Sequence, residues 1–246
     1  MYERPGYSSN NATTEEEAMK ILITGAAGAV GSTLVKGMGP RHQLRGFDRE
    51  EMPDLADSRV GDVADYEALL AAAEGMEAII HLTGVDGEWE KALPNNFIGT
   101  YNMLEAARLQ GVRRVAYASR AGVHGPLPED VMRHIDMRPQ PLGHYTVSKL
   151  FGEHMGYSYA HRHDLEFVAV RIGNFNINRD HPEHPHHLSH GDAVRVFEQA
   201  VVHPGVRYEI VYGVSDSTWP RYDLDHGRRA IGYYPQDKSD WQPEEE

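Results

Sequence analysis

The chain has 246 residues, 40% of them hydrophobic, and a formal net charge of −13 at pH 7. This length suits one large domain with a small appendage, and the excess of carboxylates argues against nucleic acid and an anionic membrane surface as partners. The chain has no cysteine, which excludes disulfides, a thiolate nucleophile and a cysteine zinc site. We find no apolar run long enough to span a membrane and no signal-peptide pattern, and we expect a cytoplasmic protein.

A strand, a glycine turn and a helix are predicted near the start of the fold. Lys20–Thr24 reads as a short buried strand, and Gly25, Gly28 and Gly31 follow it at three-residue spacing before a helical sequence. Gly25 would allow a sharp turn, Gly28 the approach of a phosphate, and Gly31 close packing of the helix on the strand. The alternative is an ordinary glycine-rich turn, but the position between a strand and a helix favours a pyrophosphate site.

A carboxylate follows the second predicted strand at residues 43–47. Asp48 lies 20 residues after Gly28, the distance at which an acid that binds the adenosine ribose is expected. Such a carboxylate accepts hydrogen bonds from the ribose hydroxyls and repels a 2′-phosphate, so we prefer NAD to NADP. Arg49 keeps the alternative open, because an arginine at this place can hold a 2′-phosphate.

Strands and helices alternate along the next hundred residues. A third strand is predicted at Ser58–Val60, and Asp62 after it could reach the adenine. Further strands are predicted at residues 77–82, 112–119 and 206–212, and helices at residues 65–73, 95–110 and from Tyr145 to about residue 163. The alternation predicts an α/β fold, a Rossmann-type doubly wound parallel sheet with helices on both faces and a small C-terminal substrate-binding lobe.

One residue pair indicates chemistry. Tyr145 and Lys149 are four residues apart on a predicted helix, so both side chains point from one face. A nearby ammonium favours the phenolate and lowers the pKa of a tyrosine, which makes a general base. A Tyr-x-x-x-Lys pair also occurs by chance on surfaces, but here it follows a dinucleotide turn, a ribose acid and a fifth strand that ends in Ser119.

Five segments follow one another in the chain: TGAAGAVG, HLTG, NNFIGTYNMLEAA, YAS and YTVSK. In order and spacing they resemble the extended or atypical short-chain dehydrogenase/reductases of the NAD-dependent epimerase/dehydratase superfamily. The resemblance covers about residues 20–235. The later segments VRIGN, LSHGD, EIVYGVSD and AIGYYPQD are similar to the uronate dehydrogenases and to the haloarchaeal NAD-dependent glucose-6-phosphate dehydrogenases. Residues 1–18 are polar, and we expect them to form a disordered arm. The predicted division of the rest is an NAD-binding Rossmann domain at 19–172 and a small substrate lobe with the last strand of the sheet at 173–246, as one compact unit.

The resemblance also implies a mechanism. Tyr145 would remove the proton of a sugar C1 hydroxyl, with Lys149 holding the nicotinamide ribose and lowering the Tyr145 pKa, and hydride transfer to NAD would give a lactone. The implied cofactor contacts are Gly25, Ala27, Gly28, Ala29, Val30, Gly31, Asp48, Arg49, Asp62, Val63, Leu82, Thr83, Gly84, Asn96, Ala118, Tyr145, Lys149 and Ile172. The implied substrate contacts are Arg120, His124, Asn174 and Arg179.

Two positions depart from the family pattern. The family has two hydroxyl residues after strand five; the first aligns with Ser119, and the second, which bonds the substrate hydroxyl, aligns with Arg120. An arginine stays protonated and cannot accept that proton. Either Ser119 substitutes through a local shift, or the site is altered and Arg120 grips an anionic group. The arginine that would bind a substrate anion is replaced by Pro182, and Arg179 could take over.

The loop at residues 180–190 contains five histidines. A metal site is one interpretation, but the spacing favours a solvated loop that borders the pocket, and we predict no metal. Trp219 and Tyr222 further along could stack on a sugar, although core packing is the commoner role of aromatic residues.

The first functional hypothesis is an NAD-dependent dehydrogenase that oxidises a sugar, sugar acid or sugar phosphate. The second is a sugar epimerase or dehydratase with tightly bound NAD. The third is an NAD-binding protein whose catalysis is impaired by Arg120. The family resemblance also implies a homo-oligomer, built through the helices that start near Asn95 and Tyr145.

Overall fold

The computed structural model describes residues 18–128 and 130–243, so the predicted arm at residues 1–18 lies outside the described residues apart from its last one. Within the described part, seven strands form one sheet: β1 (Lys20–Thr24), β2 (Gln43–Asp48), β3 (Ser58–Val60), β4 (Ala78–His81), β5 (Arg114–Arg120), β6 (Glu166–Ile172) and β7 (Tyr208–Gly213). All neighbouring pairs are parallel, in the order β3-β2-β1-β4-β5-β6-β7. The order runs outward in both directions from the β1–β4 pair, which confirms the predicted doubly wound sheet.

Helices cover both faces of the sheet: α1 (Ala29–Met38), α2 (Tyr66–Ala73), α3 (Trp89–Ala92), α4 (Gly99–Leu109), α5 (Gly143–Arg162), α6 (His190–Val202) and α7 (Asp225–Ile231). Helices α1 and α6 pack on one face, and α2, α4 and α5 on the other. In β1, Ile21 and Ile23 face the first layer and Leu22 the second, and all three are fully buried. A strand buried on both sides explains why the sequence is apolar without alternation.

The helix predicted at residues 95–110 is not one regular helix. A π-helical turn at Leu93–Ile98 precedes α4, and Pro94 stands in its first turn, where a missing N–H is tolerated. The wide turn buries Asn95 and Asn96 next to each other. A period of 3.6 residues cannot reveal such a turn, because the turn is defined by longer hydrogen bonds rather than by apolar spacing.

The chain after β6 returns to the sheet before it ends. It supplies α6, β7, α7 and a second, two-stranded parallel sheet of β8 (Asp216–Ser217) and β9 (Lys238–Ser239). Phe197, Val211 and Tyr233 from this part share a buried cluster with residues of β1. The division at residue 172 stays a prediction.

Within the described residues, none of the helices is both long enough and apolar enough to cross a membrane. The expected cytoplasmic location stays a prediction.

Candidate active site

The turn between β1 and α1 forms an open cradle of backbone amides. Gly25 has a φ of +75°, which favours glycine, and its N–H donates to the Phe47 carbonyl at 2.9 Å. A Cβ on Gly31 would lie 2.2 Å from the Gly25 carbonyl oxygen, so a side chain there would push α1 away from β1. Gly28 is the N-cap residue of α1, which has no side-chain cap and no acidic residue in its first turn. The first amides of α1 are therefore available to an anion.

A pocket of about 290 Å³ extends from this turn along the carboxyl ends of β1 to β4. The Asp48 carboxylate lies in it and is oriented by two backbone amides: Oδ2 accepts from Ala27 at 3.0 Å and Oδ1 from Glu50 at 3.2 Å. Arg49 and Asp62 approach each other to 3.9 Å, with both side chains exposed. The predicted cofactor residues that line the pocket are Gly25, Ala27, Gly28, Asp48, Arg49, Asp62, Val63, Leu82, Thr83 and Gly84.

Asn96 is predicted to contact the cofactor, but its neighbour Asn95 is the asparagine that lines this pocket. The predicted Asn96 lies behind it. The Asn96 amide accepts from the Val85 N–H at 2.8 Å and donates to the Val85 carbonyl at 2.9 Å and to Ser148 Oγ at 3.0 Å. Asn96 therefore ties the loop after β4 to α5, the helix that carries Tyr145 and Lys149. The π-helical turn determines which asparagine faces the pocket.

A larger pocket of about 650 Å³ lies beyond α1, between the ends of β5 and β6 and the start of α5. Of the predicted site residues, it brings together Ala29, Val30, Ser119, Arg120, Tyr145, Ile172 and Asn174. Phe175 and His186 also line it and were not predicted individually, although Phe175 directly follows Asn174 and His186 belongs to the histidine-rich loop. Tyr222 combines both roles considered for it, because it lines this pocket and packs on Tyr212 with ring centroids 4.8 Å apart.

Lys149 is almost fully enclosed, with 2% of its surface exposed. Its Nζ lies 5.3 Å from the ring centroids of both Tyr145 and Tyr117, and a Cβ on Gly84 would come within 2.8 Å of it. Burial lowers the pKa of Lys149 to about 8, because the charged form loses its hydration. The same burial, together with the Lys149 charge, lowers the pKa of His81 to about 3, so His81 is neutral near pH 7.

The electrostatic environment of Tyr145 differs from the expected one. Burial raises the pKa of the Tyr145 phenol, the Arg120 charge opposes this effect, and Asp86 adds to it. The expected lowering by Lys149 is not among these causes. The guanidinium Cζ of Arg120 lies over the Tyr145 ring, 5.7 Å from its centroid.

The hydroxyl of Ser119 is engaged behind the strand. Although Ser119 borders the larger pocket, its Oγ donates to Glu153 Oε1 at 2.5 Å and is fully buried. Arg171 binds both oxygens of the same carboxylate, each at 2.9 Å. Glu153 lies on α5, four residues after Lys149, so the Tyr145–Lys149 spacing repeated once more is a sequence signal that could have found it.

Two buried arginines, Arg133 and Arg221, lie near the wall of the larger pocket. Arg133 is 9% exposed, its Cζ lies 5.5 Å from the Tyr222 ring centroid, and its buried Nη1 makes no hydrogen bond in the described part of the chain. Arg221 is also buried and donates to the carbonyls of Pro128 and Val131. Together with burial, these two arginines lower the pKa of His186 to about 4, so His186 is neutral near pH 7.

Six predicted residues line neither pocket: Gly31, Asn96 and Lys149, described above, and His124, Ala118 and Arg179. His124 is buried and its Nε2 is 2.8 Å from the Tyr212 hydroxyl. Arg179 pairs with Glu183 at 2.6 Å. Ala118 packs in the core on the side of α1 and α6. The structure thus places His124 and Ala118 behind the site and Arg179 on its loop.

The histidine-rich loop is held by ring stacking. The His184 ring lies 4.9 Å from that of His186 and 4.5 Å from that of Trp241. In the described part of the chain, no group of three or more histidine and acidic side chains could hold a metal ion.

Comparison with known proteins gives the family. The model of the NAD dependent epimerase/dehydratase family matches residues 21–200. The chain belongs to this family. Its cofactor is NAD by the family's own description, which confirms the predicted cofactor, and the predicted resemblance is confirmed as well.

The relatives are dehydrogenases. An NAD-dependent glucose-6-phosphate dehydrogenase of Haloferax volcanii is 36% identical over 89% of this chain and 94% of its own length. A uronate dehydrogenase of Pseudomonas syringae pv. tomato is 35% identical over 93% of this chain and 86% of its own. The crystal structure of a mutant uronate dehydrogenase from Agrobacterium tumefaciens complexed with NAD superimposes with a TM-score of 0.83, at 30% identity over 90% of this chain and 86% of that one. The prediction of an oxidoreductase is confirmed.

Proposed function

We propose that the chain is a dehydrogenase that oxidises a hydroxyl of an acidic sugar with NAD⁺, at C1 to give a lactone. The observation that carries this proposal is the meeting of two pockets at one residue pair. Lys149 lies beside Gly84, whose loop borders the smaller pocket at the ends of β1 to β4, and Tyr145 lines the larger pocket. A base at this junction can remove a proton from an alcohol held in the larger pocket. The two dehydrogenase relatives support the same reaction class.

The residues present fit the dinucleotide. The uncapped start of α1 offers amides for the pyrophosphate, and the side-chain-free Gly28 leaves that backbone accessible. The Asp48 carboxylate, held by two amides at the edge of the pocket, would accept hydrogen bonds from the adenosine ribose and repel a 2′-phosphate. When bound, NAD⁺ supplies the hydride acceptor, and the C1 hydroxyl proton passes to the Tyr145 oxygen.

The charge around the larger pocket supports an acidic substrate. Arg133 and Arg221 are buried, and the Arg133 Cζ lies 5.5 Å from the ring centroid of Tyr222, which lines this pocket. The buried Arg133 Nη1 forms no hydrogen bond within the described residues, and such a buried guanidinium nitrogen is costly unless an anion lies nearby. A carboxylate or phosphate on the sugar would lower that cost, and these arginines would replace the family's anion-binding arginine, which is Pro182 here.

The decisive experiment combines cofactor binding with turnover. The full chain is titrated with NAD⁺, and NADH formation is followed at 340 nm with neutral aldoses, uronic acids and sugar phosphates. We expect turnover with at least one acidic sugar and little with neutral aldoses. Tyr145→Phe should abolish turnover and leave NAD⁺ affinity nearly unchanged. Tyr234→Phe is the matched control, because this exposed tyrosine lies outside both pockets and outside the helices α4 and α5. Unchanged activity of Tyr145→Phe would refute the assignment.

A second candidate function has an observation in its favour. Ser119 gives its hydroxyl to Glu153, and the following position is Arg120, so the expected substrate-binding hydroxyl is missing. An NAD-binding protein with impaired catalysis would bind NAD⁺ in the same titration and form no NADH with any sugar. An epimerase would instead retain NAD through purification.

We also propose a homo-oligomer. The large apolar side chains Tyr101 and Leu109 of α4 and Val147 and Tyr157 of α5 are exposed, and the two helices pack against each other. Such neighbouring apolar side chains on a protein surface favour an interface. Size-exclusion chromatography with light scattering measures the molar mass of the protein in solution, and the mass of a monomer at micromolar concentration would contradict this proposal.

A further inference from the structure

The arginine at the end of β5 lies against the proposed base. The Arg120 Cζ is 5.7 Å from the Tyr145 ring centroid, and Arg120 lines the pocket in which the substrate would bind. In the described part of the chain, no carboxylate lies within ion-pair distance of Arg120. Its charge is therefore not neutralised locally and acts on the groups around it.

The glycine two residues later leaves room for this arrangement. A Cβ on Gly122 would lie 2.9 Å from Arg120 Nε and 3.6 Å from its Cζ, so the guanidinium stem rests on the bare backbone of Gly122. The φ of Gly122 is −79°, which any residue adopts. The backbone conformation therefore does not require glycine there, but an added Cβ would displace the Arg120 guanidinium from its present position.

We propose that Arg120 acts through Tyr145: its guanidinium stabilises the phenolate form of the Tyr145 side chain and so makes this tyrosine an effective base, a role that an uncharged hydroxyl residue at position 120 could not fill. The proposal rests on the proposed role of Tyr145 as the general base. The sequence leaves two other interpretations of Arg120 open, namely that it impairs catalysis or that it binds the substrate anion. The proposal differs from both.

The surroundings of Tyr145 make Arg120 the effective cation. The charged and titratable groups that face the phenol are Arg120 and Tyr117 of β5, Asp86 of the loop after β4, and Lys149 on α5. Asp86 opposes ionisation of the phenol, as does burial. Lys149 is buried and its pKa is lowered to about 8, so its charge weakens in the pH range where a tyrosine ionises. The Arg120 charge persists throughout that range.

The test is a direct titration of the Tyr145 phenol in the full chain with saturating NAD⁺. Tyrosines are labelled with ¹³C at Cζ, and the Tyr145 signal is assigned by its loss in Tyr145→Phe. In Arg120→Gln we expect the midpoint to rise by about one pH unit, a roughly tenfold loss of phenolate at a given pH. Arg120→Lys keeps the charge and should retain most of the wild-type midpoint, whereas Arg162→Gln, at the exposed far end of α5, should not change it.

A second variant leaves Arg120 itself in place. Gly122→Ala should displace the guanidinium and raise the Tyr145 midpoint in the same direction. In the pH profile of kcat/KM, measured with glucuronate and with glucose 6-phosphate as probes, the acid limb should move upward with the titrated midpoint in both Arg120→Gln and Gly122→Ala.

The outcomes separate the interpretations. Equal Tyr145 midpoints in wild type and Arg120→Gln would overturn the proposal, as would a rise in KM for the acidic probes with an unmoved acid limb. Faster turnover of Arg120→Ser at every pH, with an unchanged midpoint, would show that Arg120 only impairs the site. Absence of turnover in wild type would overturn the proposed function alone, because the titration reports on Arg120 without any substrate.

Discussion

The enclosed ammonium of Lys149 gives the sharpest prediction on stability. Its side chain is buried and its pKa is lowered from an ordinary value of 10.5 to about 8 by burial. This difference corresponds to about 3 kcal/mol of unfolding free energy that the protein loses by keeping the charge buried near pH 7. Lys149→Met, similar in length and uncharged, should therefore stabilise the cofactor-free protein by about 3 kcal/mol at pH 7.

The pH dependence gives this prediction its sign. The folded-state pKa of Lys149 lies below that of the unfolded chain, so between about pH 8 and 10.5 the unfolded chain holds a proton that the native protein has released. Wild-type stability should rise with pH in that window relative to Lys149→Met. The advantage of the variant is complete below pH 8 and disappears above pH 10.5.

Urea denaturation without cofactor at pH 7 and at pH 10 measures both quantities. Lys36→Met is the control, because Lys36 is exposed on α1, and its unfolding free energy should change little at either pH. NADH formation by Lys149→Met should be lost, because the ammonium that would hold the nicotinamide ribose is gone. A variant that is less stable than wild type at pH 7, or an advantage that does not depend on pH, would refute the reasoning.

Three further substitutions test other parts of the site. Asp48→Asn should weaken NAD⁺ binding and reduce discrimination against NADP⁺ in parallel titrations, and unchanged affinities would make Asp48 a bystander. Gly31→Ala should lower the melting temperature and the NAD⁺ affinity together, because its Cβ would meet a backbone oxygen at 2.2 Å; an unchanged melting temperature would contradict the packing argument. Ser119→Ala removes a donor from the buried Glu153 carboxylate and should cost about 1.5–3 kcal/mol in urea denaturation. The control Ser215→Ala loses only an uncharged contact, with the Ser189 amide, and should cost about 1 kcal/mol; equal costs would contradict the charge argument.

The sequence was sufficient where the site is local. The strand, turn and helix from Lys20 to Met38 and the carboxylate at Asp48 depend on short-range geometry: a strand end, a tight turn, and a fixed distance to the end of the next strand. The pair Tyr145 and Lys149 needs only the period of one helix. The relative positions of these residues could be derived because little of the fold intervenes between them.

The substrate side could not be derived in the same way. Arg133 and Tyr222 meet through a bridge between segments nearly ninety residues apart, and neither segment is a regular element with a period to follow. Burial lowers the pKa of His186 to about 4, with a further contribution from the charges of Arg133 and Arg221, and these surroundings follow from tertiary packing alone. The π-helical turn likewise decides which of Asn95 and Asn96 reaches the cofactor side, and no apolar spacing encodes it.

The local shift that would let Ser119 replace the missing hydroxyl can be weighed from the same contacts. Ser119 pairs in register with Arg171 across β5 and β6, and both side chains bind the Glu153 carboxylate. A slip of one residue would turn Ser119 to the opposite face of the sheet. It would leave a buried carboxylate with fewer donors, at a cost of about 1–3 kcal/mol or more, besides breaking the strand pairing. Arg120 therefore remains the residue at the pocket, and any account of catalysis by this chain has to assign it a role.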